Sequence, residues 1–567
     1  MIKPKLTEMT LREKIGQCLL VYQWDIYDKV EVGYDYSKSD EDKVRALHEK
    51  EGFGTLYGEQ VGIFYASADS GEEHALDISE NGDLKVFSAP YKKFIDKQGS
   101  YLKIPPLVAV DCERGTSRIF EDGSDVCNGA AIGAADDDAL TYKFGASIAR
   151  ELRAGGINWR WYPVTDIGSR NSAATGRSIA FDDNERMIRL SKALIKGMQS
   201  EGVAACVKHF PGYDRFDGRD SHFTASLNSN TVEEWWAEQG RIFKDIISDG
   251  VYSVMISHTA FPAADDTMIN GKYVPSTLSK KIITDLLKKE IGFDGVVITD
   301  GITMAALFSL LPYEELIVGL INAGNDVILG AKLESGDIIE KAVLDGRIPM
   351  ERIDDACQRV LDMKEKIGLF KDDYNDIPYT MADTAPVTKK INSEIADKSM
   401  TLVRDRHNAL PIDKSKIKKV SVIVSSHSDK FIDELGTLKE EFEKRGAEVY
   451  MQRRLKNTAE IKEISETSDL IIYAAFVEGH IPKGEMRLFG EECETFYYAF
   501  NHGKEKSIGV SFGYPYIHYD IMENADVFIN AYNKSPEAQK AFVKAIFGEI
   551  EITGKSPVLL IPRAISR

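Results

Sequence analysis

The chain has 567 residues, 43% apolar and 28% charged, with 71 basic against 90 acidic side chains and a net charge of -19. That length accommodates two or more domains with full cores. An acidic chain without a basic cluster excludes nucleic-acid or anionic-membrane binding as the main task, and no apolar run reaches bilayer-spanning length.

In chain order, the start "MIKPKLTEMTLREKIGQCLL" lacks a secretory apolar core, so a cytoplasmic protein is expected. Short apolar runs then recur between helix-like stretches: 18–23, 61–66, 106–111, 157–163, 203–210, 251–258, 295–300 and 325–330. Eight strands alternating with helices predict a parallel sheet closed as a (β/α)8 TIM-like barrel over 1–372. An insertion-like stretch, "SADSGEEHALDISENGDLKVFSAPYKK", follows the second run. The segment 373–389, rich in Asp, Pro and Thr, reads as a linker. Beyond it "KVSVIVSS", "EVYM", "DLIIYAAF", "SIGVSF", "DVFINAY" and "VLLIP" predict a smaller α/β sandwich domain over 390–567. The six cysteines (Cys18, Cys112, Cys127, Cys206, Cys357, Cys493) show no CxxC pair and no zinc spacing, so buried free thiols are expected.

Charged residues gather where these runs end. Asp111 closes the third, followed by Glu113 and Arg114; Lys208 and His209 close the fifth; Ser257 and His258 the sixth; Asp300 the seventh. A barrel brings those ends to one face, where its chemistry sits. Each residue taken singly has a structural reading, such as a helix cap at Asp300. As a set they are poor core design, because a buried charge needs a partner. The fifth run leads into "KHFPGYDRFDGRDSH" (208–222), whose Asp220 and His222 are two apart, so an extended segment puts both side chains on one side.

At "MTLREKIGQ", "AVDCERG", "ELRAGGINWRWYPVTDI", "GRSIAFDD", "GMQSEGVAACVKHFPGY" followed by "DSH", and "GFDGVVITDGITM", the chain resembles glycoside hydrolase family 3 in its β-N-acetylglucosaminidase branch, two-domain type. "DCERG" stands where the family usually has "DQEGG", and "GSRNSAATGRS" lacks its usual Asn-Pro pair. The resemblance implies a retaining exo-enzyme acting on terminal β-linked GlcNAc, with cell-wall fragments as the expected source. It makes Asp300 the nucleophile and His222, partnered by Asp220, the acid/base. Asp111, Arg177, Lys208 and His209 would bind the sugar hydroxyls. It implies no metal or organic cofactor, and a carbohydrate as the partner. An imidazole titrates near neutrality and so suits a donor that must also accept. Three alternatives stand beside this reading: a phosphorylase of the same family, a β-glucosidase or xylosidase, and an inactive carbohydrate-binding relative. Oligomeric state is not legible.

Overall fold

The computed structural model describes residues 2–22, 41–57, 86–167, 177–215, 217, 219, 221–428, 430–477 and 488–560. Its internal contacts divide the chain into two compact units. The first comprises Met1–Asp125, Thr141–Asp166 and Ser191–Thr388; the second comprises Val126–Leu140, Ile167–Leu190 and Lys389–Arg567.

The first unit is built on eight parallel strands: β1 (Leu19–Val21), β2 (Thr55–Tyr57), β3 (Leu107–Val110), β4 (Trp159–Arg160), β5 (Ala204–Phe210), β6 (Ser253–Ile256), β7 (Val296–Thr299) and β8 (Ile328–Leu329). Each pairs with its neighbour in sequence, and β8 returns to pair with β1. Between β7 and β8 the ring closes through the Ile298–Val327 bridge and the Thr299 N–H, 3.1 Å from the Val327 carbonyl oxygen. Strands buried on both faces need continuous apolar runs, and β1, β3, β5, β6 and β7 are buried along their whole length. Leu20, Ala109, Trp159, Ala204, Met255 and Ile298 pack in one cluster. The indole N–H of Trp159 donates to Ser253 Oγ at 2.8 Å, so that ring brings no unpaired donor into the core.

Local chemistry sets the helices. "MTLREKIGQ" carries Thr10 three residues before Glu13, a capping box in which each side chain accepts the other's backbone N–H, at 3.2 and 2.8 Å. Before β5, helix Asn184–Ser200 buries Met187, Leu190, Leu194 and Met198 at helical spacing.

The second barrel strand differs from expectation. It is the three-residue stretch Thr55–Tyr57, and the expected run 61–66 lies outside the described residues. The stretch read as a linker over 373–389 also differs. Helix Met381–Ser399 occupies its second half. Composition misled because Pro386 lies inside that helix, where the ring removes one backbone donor. Asp383 offsets this at the start, accepting the backbone N–H and the hydroxyl of Thr380, both at 2.8 Å.

One residue on the barrel-closing helix Met350–Lys366 breaks the apolar pattern. Lys364 is fully buried with its ammonium 2.6 Å from Gln17 Oε1. Burial pushes its pKa down to about 7. The unfolded lysine titrates near ~10.4, so between these values the native state binds fewer protons and stability rises with pH. The cost of this lysine is therefore greatest below pH 7. We expect Lys364→Met to stabilise the protein by roughly 2–4 kcal/mol at pH 6, with the gain fading towards pH 10. Urea unfolding at both pH values checks this; a loss of stability at pH 6 would refute it.

The second unit carries a six-stranded sheet: β9 (Thr401–Asp405), β10 (Lys419–Ser426), β11 (Glu448–Arg453), β12 (Leu470–Phe476), β13 (Ser507–Ser511) and β14 (Val527–Asn530). The spatial order is β9-β14-β13-β12-β10-β11, parallel except for β9, which runs antiparallel to β14. The edge strand β9 was not anticipated: only Thr401 in it is buried. "VLLIP" forms no strand over 558–560, and the rest of it lies outside the described residues. Helix Gly129–Ala135 belongs to this unit. An added Cβ on Gly129 would stand 2.1 Å from the Arg177 carbonyl oxygen and one on Gly133 1.7 Å from that of Ile179, so two glycines one turn apart let the 177–179 backbone lie directly on the helix.

All six cysteines are free thiols, five of them buried. Among the described residues no helix is long and apolar enough to cross a membrane.

Candidate active site

Strand ends of the first unit place their charged residues in contact. Lys208, buried at the end of β5, sets its ammonium 2.6 Å from Asp111 Oδ1 and 3.0 Å from Glu113 Oε1. Both acids come from the turn after β3, where Cys112 between them has φ +43°. Beneath that turn the buried Arg160 of β4 donates to the Cys112 carbonyl oxygen at 2.6 Å and lies over the Tyr162 ring. A cation held under the turn thus fixes the two carboxylates that meet Lys208.

The neighbouring His209 turns to a different acid. Asp166, six residues beyond β4, accepts both the His209 backbone N–H at 3.0 Å and the ring Nδ1–H at 2.7 Å. The carboxylate places the proton on Nδ1 and leaves Nε2 as the other polar atom of the ring. Pairing between β5 and β6 shifts register between Lys208 and Phe210, so the two consecutive residues reach separate partners.

Asp300 follows β7. Its backbone N–H donates to Ile256 O at 2.9 Å, and its Oδ1 accepts the Gly301 N–H at 2.8 Å. Burial raises its pKa, but the neighbouring imidazoles, His209 first and then His258 and His222, outweigh that and hold it below the usual carboxylate range. These influences favour the ionised carboxylate, the state a carboxylate nucleophile needs.

In the loop 211–222, Asp214 and Asp217 bind within the unit. Asp214 is buried and accepts the backbone N–H of Ser229 at 2.8 Å and also its hydroxyl. Asp217 takes the Arg219 guanidinium in a fork, at 2.8 and 2.6 Å, and the Leu227 N–H at 2.8 Å. Burial would raise the Asp217 pKa, yet these donors lower it. The loop is thus stapled on both sides of its centre. His222 is exposed, and its carbonyl accepts the Ala305 N–H at 3.1 Å, linking the loop to the segment after Asp300.

Of the residues singled out in the sequence, Asp111, Lys208, His209, Asp300 and His222 fall in this unit. Asp220 lies outside the described residues. Arg177 belongs to the second unit. Sequence reasoning did not assign Glu113, Asp166 or a role for His258. Asp166 ends the apolar stretch "WYPVTD", a signal of the kind that marked Asp111 and Asp300. Among the described residues no group of three or more His, Cys, Asp or Glu side chains is arranged to hold a metal ion.

The chain is 29% identical over 485 residues to a β-N-acetylglucosaminidase/β-glucosidase of Cellulomonas fimi, covering 80% of this chain and 84% of that one. It is 32% identical to a β-hexosaminidase of Stenotrophomonas maltophilia over 232 residues, which are 40% of this chain and 67% of that protein. Among solved structures, a Paenibacillus family 3 β-N-acetylglucosaminidase superposes with a TM-score of 0.77 at 25% identity, covering 98% of this chain and all of that one. A β-glucoside phosphorylase, BglX bound to 2FGlc, does so with a TM-score of 0.82 at 25% identity, covering 98% of this chain and 95% of that one. The model of the glycosyl hydrolase family 3 N-terminal domain matches residues 10–363, more than half of the sequence, and the chain belongs to that family.

Proposed function

We propose that the protein is a retaining exo-β-N-acetylglucosaminidase that removes terminal β-linked GlcNAc in two displacements. The observation that carries this reading is Asp300 at the end of β7, its Oδ1 held by the Gly301 N–H at 2.8 Å, with the neighbouring imidazoles lowering its pKa. In the first step an Asp300 oxygen attacks the anomeric carbon while the His222 imidazolium protonates the departing oxygen. In the second, neutral His222 takes a proton from water, which displaces Asp300 and restores the configuration. Asp220 would orient the His222 ring. Asp111, Lys208, His209 and Arg177 would bind the sugar hydroxyls through charge-assisted hydrogen bonds. The GlcNAc preference rests on the relatives named above. We place the enzyme in the cytoplasm, acting on cell-wall fragments.

Phosphorolysis is the second reading, favoured by the likeness to a phosphorylase. A neutral imidazole repels an incoming phosphate less than a carboxylate base would. Aryl GlcNAc and aryl glucoside substrates, each assayed with and without phosphate, separate these readings. We expect free GlcNAc as the main product and GlcNAc glycosides to be strongly preferred. Sugar 1-phosphate as the dominant product would move the assignment to phosphorolysis, and equal rates on both sugars would overturn the GlcNAc preference.

A further inference from the structure

His258 lies two residues beyond β6 and takes no part in the steps above. Its ring is fully buried, with Nε2 2.9 Å from the Gly301 carbonyl oxygen and Nδ1 3.0 Å from Thr277 Oγ1. A carbonyl only accepts, so Nε2 carries a hydrogen and donates it to Gly301. Thr277 is itself fully buried, and the Asn325 side-chain amide holds its carbonyl at 2.9 Å. Gly301 is the residue whose N–H meets Asp300 Oδ1. A continuous chain of hydrogen bonds therefore runs Asn325, Thr277, His258, Gly301, Asp300, and every link before the nucleophile lies inside the unit.

We propose that His258 is a positioning residue which, by holding the Gly301 carbonyl, keeps the Gly301 N–H on Asp300 and the carboxylate aimed for attack. The Gly301 carbonyl also accepts the Met304 N–H at 3.0 Å, and the His258 ring is the side-chain restraint added to that turn. Glycine has the widest backbone freedom of any residue, and an added Cβ here would meet nothing closer than 3.8 Å, so packing alone does not fix it. Burial keeps the His258 ring uncharged although Asp300 pulls the other way. The link is thus a fixed neutral donor and not a proton carrier. Asp300 is faced electrostatically by His209, His258 and His222, and by the buried Cys206 thiol of β5.

The proposal rests on Asp300 as nucleophile, and its test keeps the two claims apart. Wild type and variants are reacted with a 2-fluoro sugar that traps the glycosyl-enzyme, and the labelled peptide is mapped by mass. Label on wild type at any residue other than Asp300 defeats the nucleophile assignment, whatever the His258 variants do. With Asp300 labelled, we expect His258→Ala to slow labelling and kcat by roughly 10- to 100-fold, the cost of a misplaced reacting group. KM should change little. The acidic limb of kcat/KM should move to higher pH, because the carboxylate loses a donor that favours its charged form. His258→Gln, whose amide N–H reaches the same carbonyl, should recover at least part of both effects. Thr277→Val should give a milder form, and it stands in should His258→Ala not fold. A folded His258→Ala protein with unchanged labelling and an unmoved acidic limb overturns the proposal; so does a loss that glutamine does not relieve.

Discussion

Asp300→Asn should abolish turnover while leaving the fold in place. The amide keeps the carboxylate's shape, and its oxygen still accepts the Gly301 N–H, but its oxygen is no longer an anionic nucleophile. Removal of a nucleophile costs roughly 10⁴- to 10⁶-fold in kcat. The side chain is partly exposed and terminates a strand, so melting temperature should change by no more than a few degrees. Because the substitution sets asparagine before Gly301, a pair prone to deamidation, Asp300→Ala should be measured beside it. Steady-state rates on an aryl GlcNAc substrate, with a melt on the same sample, decide the matter. Activity within tenfold of wild type in the alanine variant would transfer the nucleophile to another group.

The second large effect depends on the leaving group. An activated aryl group departs with little protonation, so His222→Ala should barely slow its release. A sugar leaving group needs the proton, and its cleavage should fall by roughly 10²- to 10⁴-fold. With the activated substrate the glycosyl-enzyme then accumulates, since no base activates water. Azide, which needs no base, should restore turnover by attacking that intermediate. Uniform slowing of all substrates without azide rescue would make His222 a part of the loop's architecture and send the search for the acid elsewhere.

The barrel was legible because strands buried on both faces leave a trace that needs no partner to be seen: "PLVAVD" and "GVVITD" are apolar up to the residue that meets solvent or chemistry. β2 was placed wrongly because three residues are too few for a period to show, and "VGIFYA" offered a stronger run nearby. In the site, charged strand ends such as Asp111, Lys208 and Asp300 announced themselves. Asp166, with the same signal, was passed over and Glu113 was noted without a role, since each gains its meaning from a partner on another strand: His209 for one, Lys208 for the other. His258 could be found at its strand end, but its link to Gly301 spans 43 residues and exists only in three dimensions. The partners of the loop aspartates were hidden for the same reason, because Ser229 and Leu227 claim Asp214 and Asp217 from outside the loop's centre.

The two units are not laid out as beads on a string. The chain leaves the barrel after Asp125, returns at Thr141, leaves again after Asp166 and returns at Ser191. What it leaves behind is fastened in the second unit: Asn128 donates to Tyr532 O, Cys127 N–H to Asn392 Oδ1, and Phe181 N–H to Pro557 O. A barrel excised at residue 388 would carry two stretches stripped of their partners, with buried Phe181 laid bare. The tail is therefore not an accessory that evolution or an engineer could delete or exchange as a cassette. The piece of chain that joins β4 to β5, and carries Arg177, is folded by sequence more than two hundred residues downstream. Recombination between relatives would have to carry those inserts and the tail together.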